Sequence, residues 1–341
     1  MRTTRLAMLV LAAVACFAGA AQAQQCPPLT RAFSMDLFPV QGDTRYTIGV
    51  TVNNTPRRFL LDTGGAYTQL SVQLVTNLGI GTRHGNVRMY DAQGRVSDLM
   101  ATVDLGLGPV TAKAQDVPVN PGLQGGGILA GDVMQNYDID IDFAGRKLSY
   151  FLPTHCDGKV IYWQTPIVAS VPFHGWTRGQ FHLYVPVKID GHEVTAWIDT
   201  GATGSTLDAN TARQLFDLTP ETPGVTEMGT MGGDKNKTFS WTFKTLEIGG
   251  IKINTPKMRI IPDLMGKGNK EDIAADSHIR MRSEIENMGP TMLIGMDVLR
   301  KLHLYIASKE GKLYVTPASD LPPDPAPAAA SAAAPAQPAG N

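Results

Sequence analysis

Asp62 and Asp199 each head an Asp-Thr-Gly triplet, and an offset of 199 − 62 = 137 residues superposes the two triplets. Paired carboxylates suit proton chemistry on water. Two like charges held close together cannot both ionise, so such a pair shares one proton. Its ionised member can take a proton from water while its protonated member polarises a carbonyl. A single Asp-Thr-Gly is an ordinary turn sequence and would carry no such weight. Here the flanks repeat as well. Phe59-Leu60-Leu61 and Ala196-Trp197-Ile198 run into the two aspartates, and each copy is followed at long range by an apolar-apolar-Gly segment.

Rival chemistries have less to build on. The seven histidines form no His-Glu-x-x-His motif and no i, i+4 ligand pair. No Gly-x-Ser-x-Gly elbow occurs, and the cysteines lack a Cys-x-x-Cys spacing. The expected chemistry therefore calls for no metal and no organic cofactor.

The elements that must position the aspartates repeat too. Residues 46–70 read YTIGVTVNNTPRRFLLDTGGAYTQL, and residues 183–207 read LYVPVKIDGHEVTAWIDTGATGSTL. They register without a gap. Each alternates apolar and polar residues, turns at Asn53-Asn54 or Asp190-Gly191, and returns as an apolar strand ending at Asp, the pattern of a β-hairpin. Further on, Val87-Arg88-Met89 resembles Thr226-Glu227-Met228, and Val103-Asp104-Leu105-Gly106 resembles Leu246-Glu247-Ile248-Gly249. Ile128-Leu129-Ala130-Gly131 is matched to Met292-Leu293-Ile294-Gly295, and a closing strand follows in each half. The widening offset predicts a second-half insertion within residues 262–290, polar, charged and weakly helical over 271–287. Short helices are expected at 71–78, 133–137, 209–216 and 298–303.

The chain has 341 residues, 43% hydrophobic and 18% charged, which suits a folded protein and excludes a self-repelling disordered one. Its 35 Gly and 23 Pro favour turns and an all-β fold. Arg2 and Arg5, an apolar run from Leu6 to Ala15 and the Ala21-Gln22-Ala23 site read as a signal peptide over residues 1–23. The apolar run is too short to span a bilayer. The net charge of −1 becomes −3 once the two arginines leave with the signal, which points away from nucleic acid and anionic membranes. Export to the periplasm or beyond follows, with a lipoprotein anchored through Cys16 as the minority reading. Cys26 and Cys156 then remain, and two cysteines in an exported chain read as one disulfide. Residues 318–341 are almost wholly Ala, Pro and Ser and are expected as a disordered tail.

The doubled motif resembles the aspartic proteases of the pepsin and retropepsin superfamily, over about residues 31–317. The resemblance implies an all-β, bilobal acid-protease fold, two retropepsin-like β-barrel lobes with the site between them. The lobes would be residues 24–152 and 167–317, joined by a linker at 153–166. It implies a catalytic dyad of Asp62 and Asp199, Thr63 and Thr200 gripping the opposing loops, and structural roles for Gly64, Gly201, Gly131 and Gly295. Ala202 follows the second triplet as in retropepsins, whereas Gly65 departs from the family pattern. Neither side chain offers the dyad a hydroxyl, so loss of the shared proton is expected at mildly acidic to near-neutral pH. Turns at 91–95 and 232–236 stand where flaps would be. Met89, Tyr90, Met228 and Met231 flank them, either lining apolar subsites or simply packing the hairpins. The ends of a lobe would meet in the interlobe sheet, bringing Cys26 near Cys156.

The function implied is an aspartic endopeptidase, a monomer with intramolecular lobe pairing, acting on extended polypeptides. The alternative is a non-catalytic peptide-binding protein of the cell envelope that uses the same cleft. A purely structural envelope protein leaves the paired carboxylates unexplained. The 262–290 insertion would tune access or be a tolerated surface loop.

Overall fold

A computed structural model describes residues 27–90, 96–230, 237–262 and 290–318. The expected signal, Cys16, Cys26, both flap turns, Met231, positions 263–289 of the insertion and 319–341 of the tail lie outside the described residues.

The first half runs β1 (Arg31–Pro39), β2 (Tyr46–Val52), β3 (Thr55–Leu61), β4 (Gln69–Ser71), α1 (Val72–Asn77), β5 (Arg83–Tyr90), β6 (Val96–Leu107), β7 (Val110–Asn120), β8 (Gly127–Leu129), α2 (Gly131–Met134), β9 (Asp138–Asp142) and β10 (Lys147–Phe151). The second runs β11 (Ala169–Pro172), β12 (His174–Thr177), β13 (Gln180–Ile189), β14 (His192–Ile198), β15 (Thr206–Asp208), α3 (Ala209–Phe216), β16 (Thr226–Thr230), β17 (Lys237–Thr242), β18 (Thr245–Ile248), β19 (Ile251–Asn254), β20 (Lys257–Ile261), β21 (Met292–Ile294), α4 (Met296–Leu299), β22 (Leu302–Ala307) and β23 (Lys312–Pro317). The fold is all-β and bilobal. Among the described residues no helix is long and apolar enough to cross a membrane.

Alternation drives both hairpins. Tyr46, Ile48, Val50 and Val52 are the buried faces of β2, and Leu183, Val185, Val187 and Ile189 are those of β13. The hairpin turns use left-handed residues, Asn53 and Asn54 (φ 49° and 64°) in one lobe and Asp190 and Gly191 (φ 46° and 86°) in the other. That geometry matches the twist of the flanking strands, and Asn and Asp tolerate it better than other residues with a Cβ.

In the first lobe β2, β3, β8, β4, β7 and β6 pair in succession, and a β2–β6 pairing closes them into a six-stranded barrel. The second lobe follows the same route with broken strands. β17 and β18 stand where β6 is continuous, and β19 and β20 replace β7. Pro256, which has no N–H to give a ladder, and Thr255, at φ 48°, sit at the break.

Both lobes cross strands beneath the aspartate. β3 pairs parallel with β8, which pairs antiparallel with β4; β14, β21 and β15 repeat the arrangement. Leu61, Leu70 and Leu129 are wholly buried there, as are Leu207, Met292 and Ile294. Truncating one such leucine to alanine typically costs about 2–5 kcal/mol, so the crossing is a stiff platform. Each crossing ends in a capped helix. Ser71 Oγ accepts from Leu74 N at 3.0 Å to start α1, and the Asp208 carboxylate accepts from Asn210 N and Thr211 N to start α3.

The helices expected at 71–78 and 209–216 are present as α1 and α3. Those expected at 133–137 and 298–303 begin two residues earlier, at Gly131 and Met296, and are single turns. They start there because the strands end at Leu129 and Ile294, leaving only Ala130 and Gly295 as extended N-cap residues, and His303 already belongs to β22.

Six strands join the lobes in the order β11-β23-β22-β9-β10-β1, with β9 and β22 antiparallel at the centre. β9 reads Asp-Ile-Asp-Ile-Asp, yet its first four residues are buried on both faces. Asp138 bonds His155 Nε2 and accepts from Ser308 N at 2.8 Å. Asp140 lies 2.5 Å from His303 Nε2 and accepts from the Tyr162 hydroxyl. Trp163 stacks on the His303 ring at 3.8 Å. Buried carboxylates with partners of this kind bind the linker segment and the second lobe to the first.

Candidate active site

The two Asp-Thr-Gly loops meet between the lobes. Thr63 N donates to Thr200 Oγ1 at 3.0 Å, and Thr200 N donates to Thr63 Oγ1 at 3.1 Å. Each hydroxyl passes its own proton onward, Thr63 to the Ile198 carbonyl and Thr200 to the Leu61 carbonyl, both at 2.9 Å. Both threonines are buried, so the four bonds are made away from water and fix one loop on the other. Beneath them, Asp62 N donates to Leu129 O at 2.9 Å and Asp199 N to Ile294 O at 3.0 Å.

This brings the Asp62 and Asp199 carboxyls within hydrogen-bond reach of one another. The glycines allow it. A Cβ on Gly64 would lie 2.2 Å from Asp199 Cγ, and one on Gly201 would lie 2.5 Å from Asp62 Cγ. Each loop's glycine is therefore the surface against which the other lobe's carboxylate rests. Main-chain donors replace the missing side-chain hydroxyls. Gly65 N donates to Asp62 Oδ1 at 2.7 Å, while Gly201 N and Ala202 N donate to Asp199 Oδ1 at 2.7 and 3.1 Å.

Burial raises both carboxyls above the ordinary range. For Asp62 it outweighs the Gly65 amide and the nearby Arg45 charge, which pull the other way. For Asp199 burial, then the charge of Asp62, pushes the group up to about 8. The pair titrates as a unit and keeps a proton well above the pH at which free aspartate loses one.

The residues around the dyad are not all where the sequence register put them. Because Leu129 and Ile294 play the same part under the two aspartates, Gly295 corresponds to Ala130, not to Gly131. The offset is one residue longer than the side-chain pattern suggested, since short apolar runs look alike when shifted by one. Gly131 instead lets the lobes approach, since a Cβ there would lie 2.3 Å from the Phe181 carbonyl of the second lobe. Gly295 faces Gly204 O, 2.6 Å from where its Cβ would be. Likewise Gly106 pairs beside Thr51 as Glu247 does beside Lys188, so Gly249 is not its counterpart.

Met89 and Tyr90 end β5, and Met228 stands exposed on β16. Cys156 Sγ lies 3.7 Å from the carbonyl of Pro27, the residue after Cys26.

Two residues near the dyad escaped the sequence reading. Arg45 Nη1 donates to Gly201 O at 3.2 Å, and His182 lies within hydrogen-bonding reach of the Gly64 main chain. They stand one position before the two repeated segments, where extending the register by a single residue would have paired them.

The aspartyl protease family matches residues 48–133 and 185–298, more than half of the chain. The chain belongs to the aspartyl protease family. Both matched blocks contain one Asp-Thr-Gly loop and its crossing strands. Among solved structures, the protease is similar to the aspartic proteinase from Irpex lacteus. The TM-score is 0.50 at 12% identity, with 86% of this chain and 99% of that one covered, a likeness of fold. No curated protein matches the chain.

Proposed function

We propose that the protein is an aspartic endopeptidase in which Asp62 and Asp199 activate a water molecule against a peptide carbonyl. The observation that carries this reading is the reciprocal threonine grip, which holds two buried carboxyls within reach of one another. One shared proton gives the pair a base and an acid together. The base takes a proton from the attacking water, and the acid donates to the carbonyl oxygen as it gains charge. The substrate is an extended polypeptide lying across the cleft between the lobes, bound through strand-like main-chain hydrogen bonds. Turns 91–95 and 232–236 are its flaps, with Met89, Tyr90, Met228 and Met231 beside them.

The protein acts after export, and Cys26 and Cys156 form its disulfide. The approach of Cys156 to Pro27 supports that pairing. The test is cleavage of an unfolded protein with and without pepstatin, products read by mass spectrometry. Pepstatin-sensitive internal cuts support the reading, and intact substrate at every pH from 3 to 8 would sink it.

A further inference from the structure

Arg45 precedes β2 and His182 lies in β13, and the offset of 137 residues that relates Thr63 to Thr200 also relates Arg45 to His182. Both reach from their own lobe to the loop of the other. Arg45 donates from Nη1 to the carbonyl of Gly201 at 3.2 Å. Its guanidinium is oriented by Asp43, which accepts from Nε at 2.9 Å and from Nη2 at 2.6 Å. The neighbouring Thr44 hydroxyl donates to Thr203 O at 3.2 Å, a second tie to the same loop.

His182 is placed on Gly64 by packing. Its ring meets the Trp197 ring edge-on at 4.4 Å and lies 5.9 Å from the Tyr184 ring. Its Nδ1 is buried without a partner, so the other ring nitrogen serves the Gly64 main chain.

Gly201 abuts the Asp62 carboxylate and Gly64 abuts that of Asp199. The Arg45 charge acts on Asp62, while His182 meets the Gly64 main chain, the residue against which Asp199 rests. The two are unequal in charge. A guanidinium is always cationic. Burial pulls the His182 imidazole below its ordinary range, so it is neutral at and above neutral pH. The titratable and charged groups around it are Tyr184 on its own strand, Asp62 on the Gly64 loop, Asp199 after Trp197, and Tyr67, whose ring packs on Phe181 at 5.2 Å.

We infer that Arg45 and His182 are a cross-lobe pair of positioning residues whose unequal charge makes Asp62 the base of the dyad and Asp199 the carrier of the shared proton. The inference rests on the protease reading of the site and adds to it a source of asymmetry. A fixed cation beside Asp62 favours its ionised form. A neutral imidazole on Gly64, against which Asp199 rests, gives that carboxyl no such help. The singly ionised pair is then mostly one tautomer.

The test follows both dyad carboxyls by 13C NMR in protein carrying [γ-13C]aspartate, assigned with Asp62→Asn and Asp199→Asn, alongside the pH profile of kcat/KM on a peptide. Arg45→Gln is expected to raise the lower dyad midpoint and the acidic limb by about one pH unit, the small end of what a nearby charge does. Arg45→Lys keeps the charge and leaves that midpoint in place. His182→Arg is expected to lower the upper midpoint and the alkaline limb by about one unit. His182→Gln, also neutral, moves neither. A role in loop architecture alone would reduce rates at every pH without moving a midpoint. Unmoved midpoints in Arg45→Gln and His182→Arg, both melting as wild type does, would overturn the inference. Should His182→Arg not fold, Arg45→Gln decides alone. If wild type cuts nothing while its midpoints respond as stated, the protease reading fails and the assignment of charge stands.

Discussion

Thr63 and Thr200 hold one another by two hydrogen bonds, each main-chain N–H donating to the other residue's hydroxyl, at 3.0 and 3.1 Å. The contact ties the lobes directly to one another at the site. Thr63→Val keeps the shape but leaves the Thr200 N–H and the Ile198 carbonyl without their partners. Buried groups orphaned in this way cost about 1–3 kcal/mol each. Urea denaturation should show a loss of roughly 2–4 kcal/mol, and peptide cleavage should fall by more than tenfold as the carboxyls drift apart. Thr63→Ser should restore most of both. Wild-type stability in the valine variant would show that the grip is ornamental.

Asp62→Asn and Asp199→Asn are each expected to abolish cleavage while leaving the protein folded. An amide keeps the size of the carboxyl and cannot take the proton. Combining them should add little further loss, because the pair works as one unit. Melting temperatures should hold or rise, since each change leaves one carboxyl where two buried ones had to share a single proton. Circular dichroism and a cleavage assay on the same samples decide it.

Gly64→Ala places a methyl group 2.2 Å from Asp199 Cγ. The loop must move for it to fit, and it can only move away from the opposing lobe. Activity is expected to fall by at least a hundredfold. The control is Gly191→Ala, where nothing lies within 4 Å of the added carbon but φ is 86°; it should cost stability through the turn and spare the rate.

The pH dependence of cleavage follows from the raised carboxyls. Asp199 is pushed up to about 8, so the shared proton is retained through neutrality and lost above it. The alkaline limb of kcat/KM should therefore lie near neutral pH or somewhat above. Ala202→Ser would add a hydroxyl donor beside Asp199, favour its ionised form and draw that limb downward. A limb near pH 3 in the wild type would contradict the burial of the pair.

Stability should also fall as pH rises. Burial lifts Asp138 above its ordinary range, more than the His155 bond lowers it. Burial opposes a charge on His155, but its bonds to the Cys156 carbonyl and to Asp138 outweigh that and raise it. In both cases the folded state binds the proton more tightly than the unfolded chain does. For His155 the stabilisation is complete below pH 6.5, the unfolded value, and fades as pH climbs through the higher folded value. Asp138 contributes with the same sign from above pH 3.8 upward. Melting temperature should decline as pH rises past 6.5, and His155→Gln should flatten that slope. A melting temperature that climbs with pH would reverse the assignment.

The hairpins, both Asp-Thr-Gly loops, α1 and α3 were legible because each rests on local signals: alternation, a turn that needs left-handed residues, and a Ser or Asp cap. Register between the halves was less secure. Ala130-Gly131 and Ile294-Gly295 look equivalent as text, and only the main-chain bonds to Asp62 and Asp199 show the one-residue slip. β9 hid its environment altogether. Asp138 and Asp140 alternate with isoleucines as solvent-facing residues do, but a strand at the centre of the interlobe sheet has no solvent face, and its partners His155 and His303 come from elsewhere in the sequence. Arg45 and His182 were missed for a related reason: the register pairs them, but as unlike residues they add nothing to the similarity that draws the eye to it.

That unlikeness has a consequence for what can lie in the cleft. Two identical halves would make the two ends of the groove interchangeable, and a bound strand could run either way. Here Ala130 is the counterpart of Gly295, Gly65 of Ala202 and Arg45 of His182, while unbroken strands in one lobe answer broken ones in the other. On the proposed reading the groove has a head and a tail, so an extended chain would have one preferred direction through it.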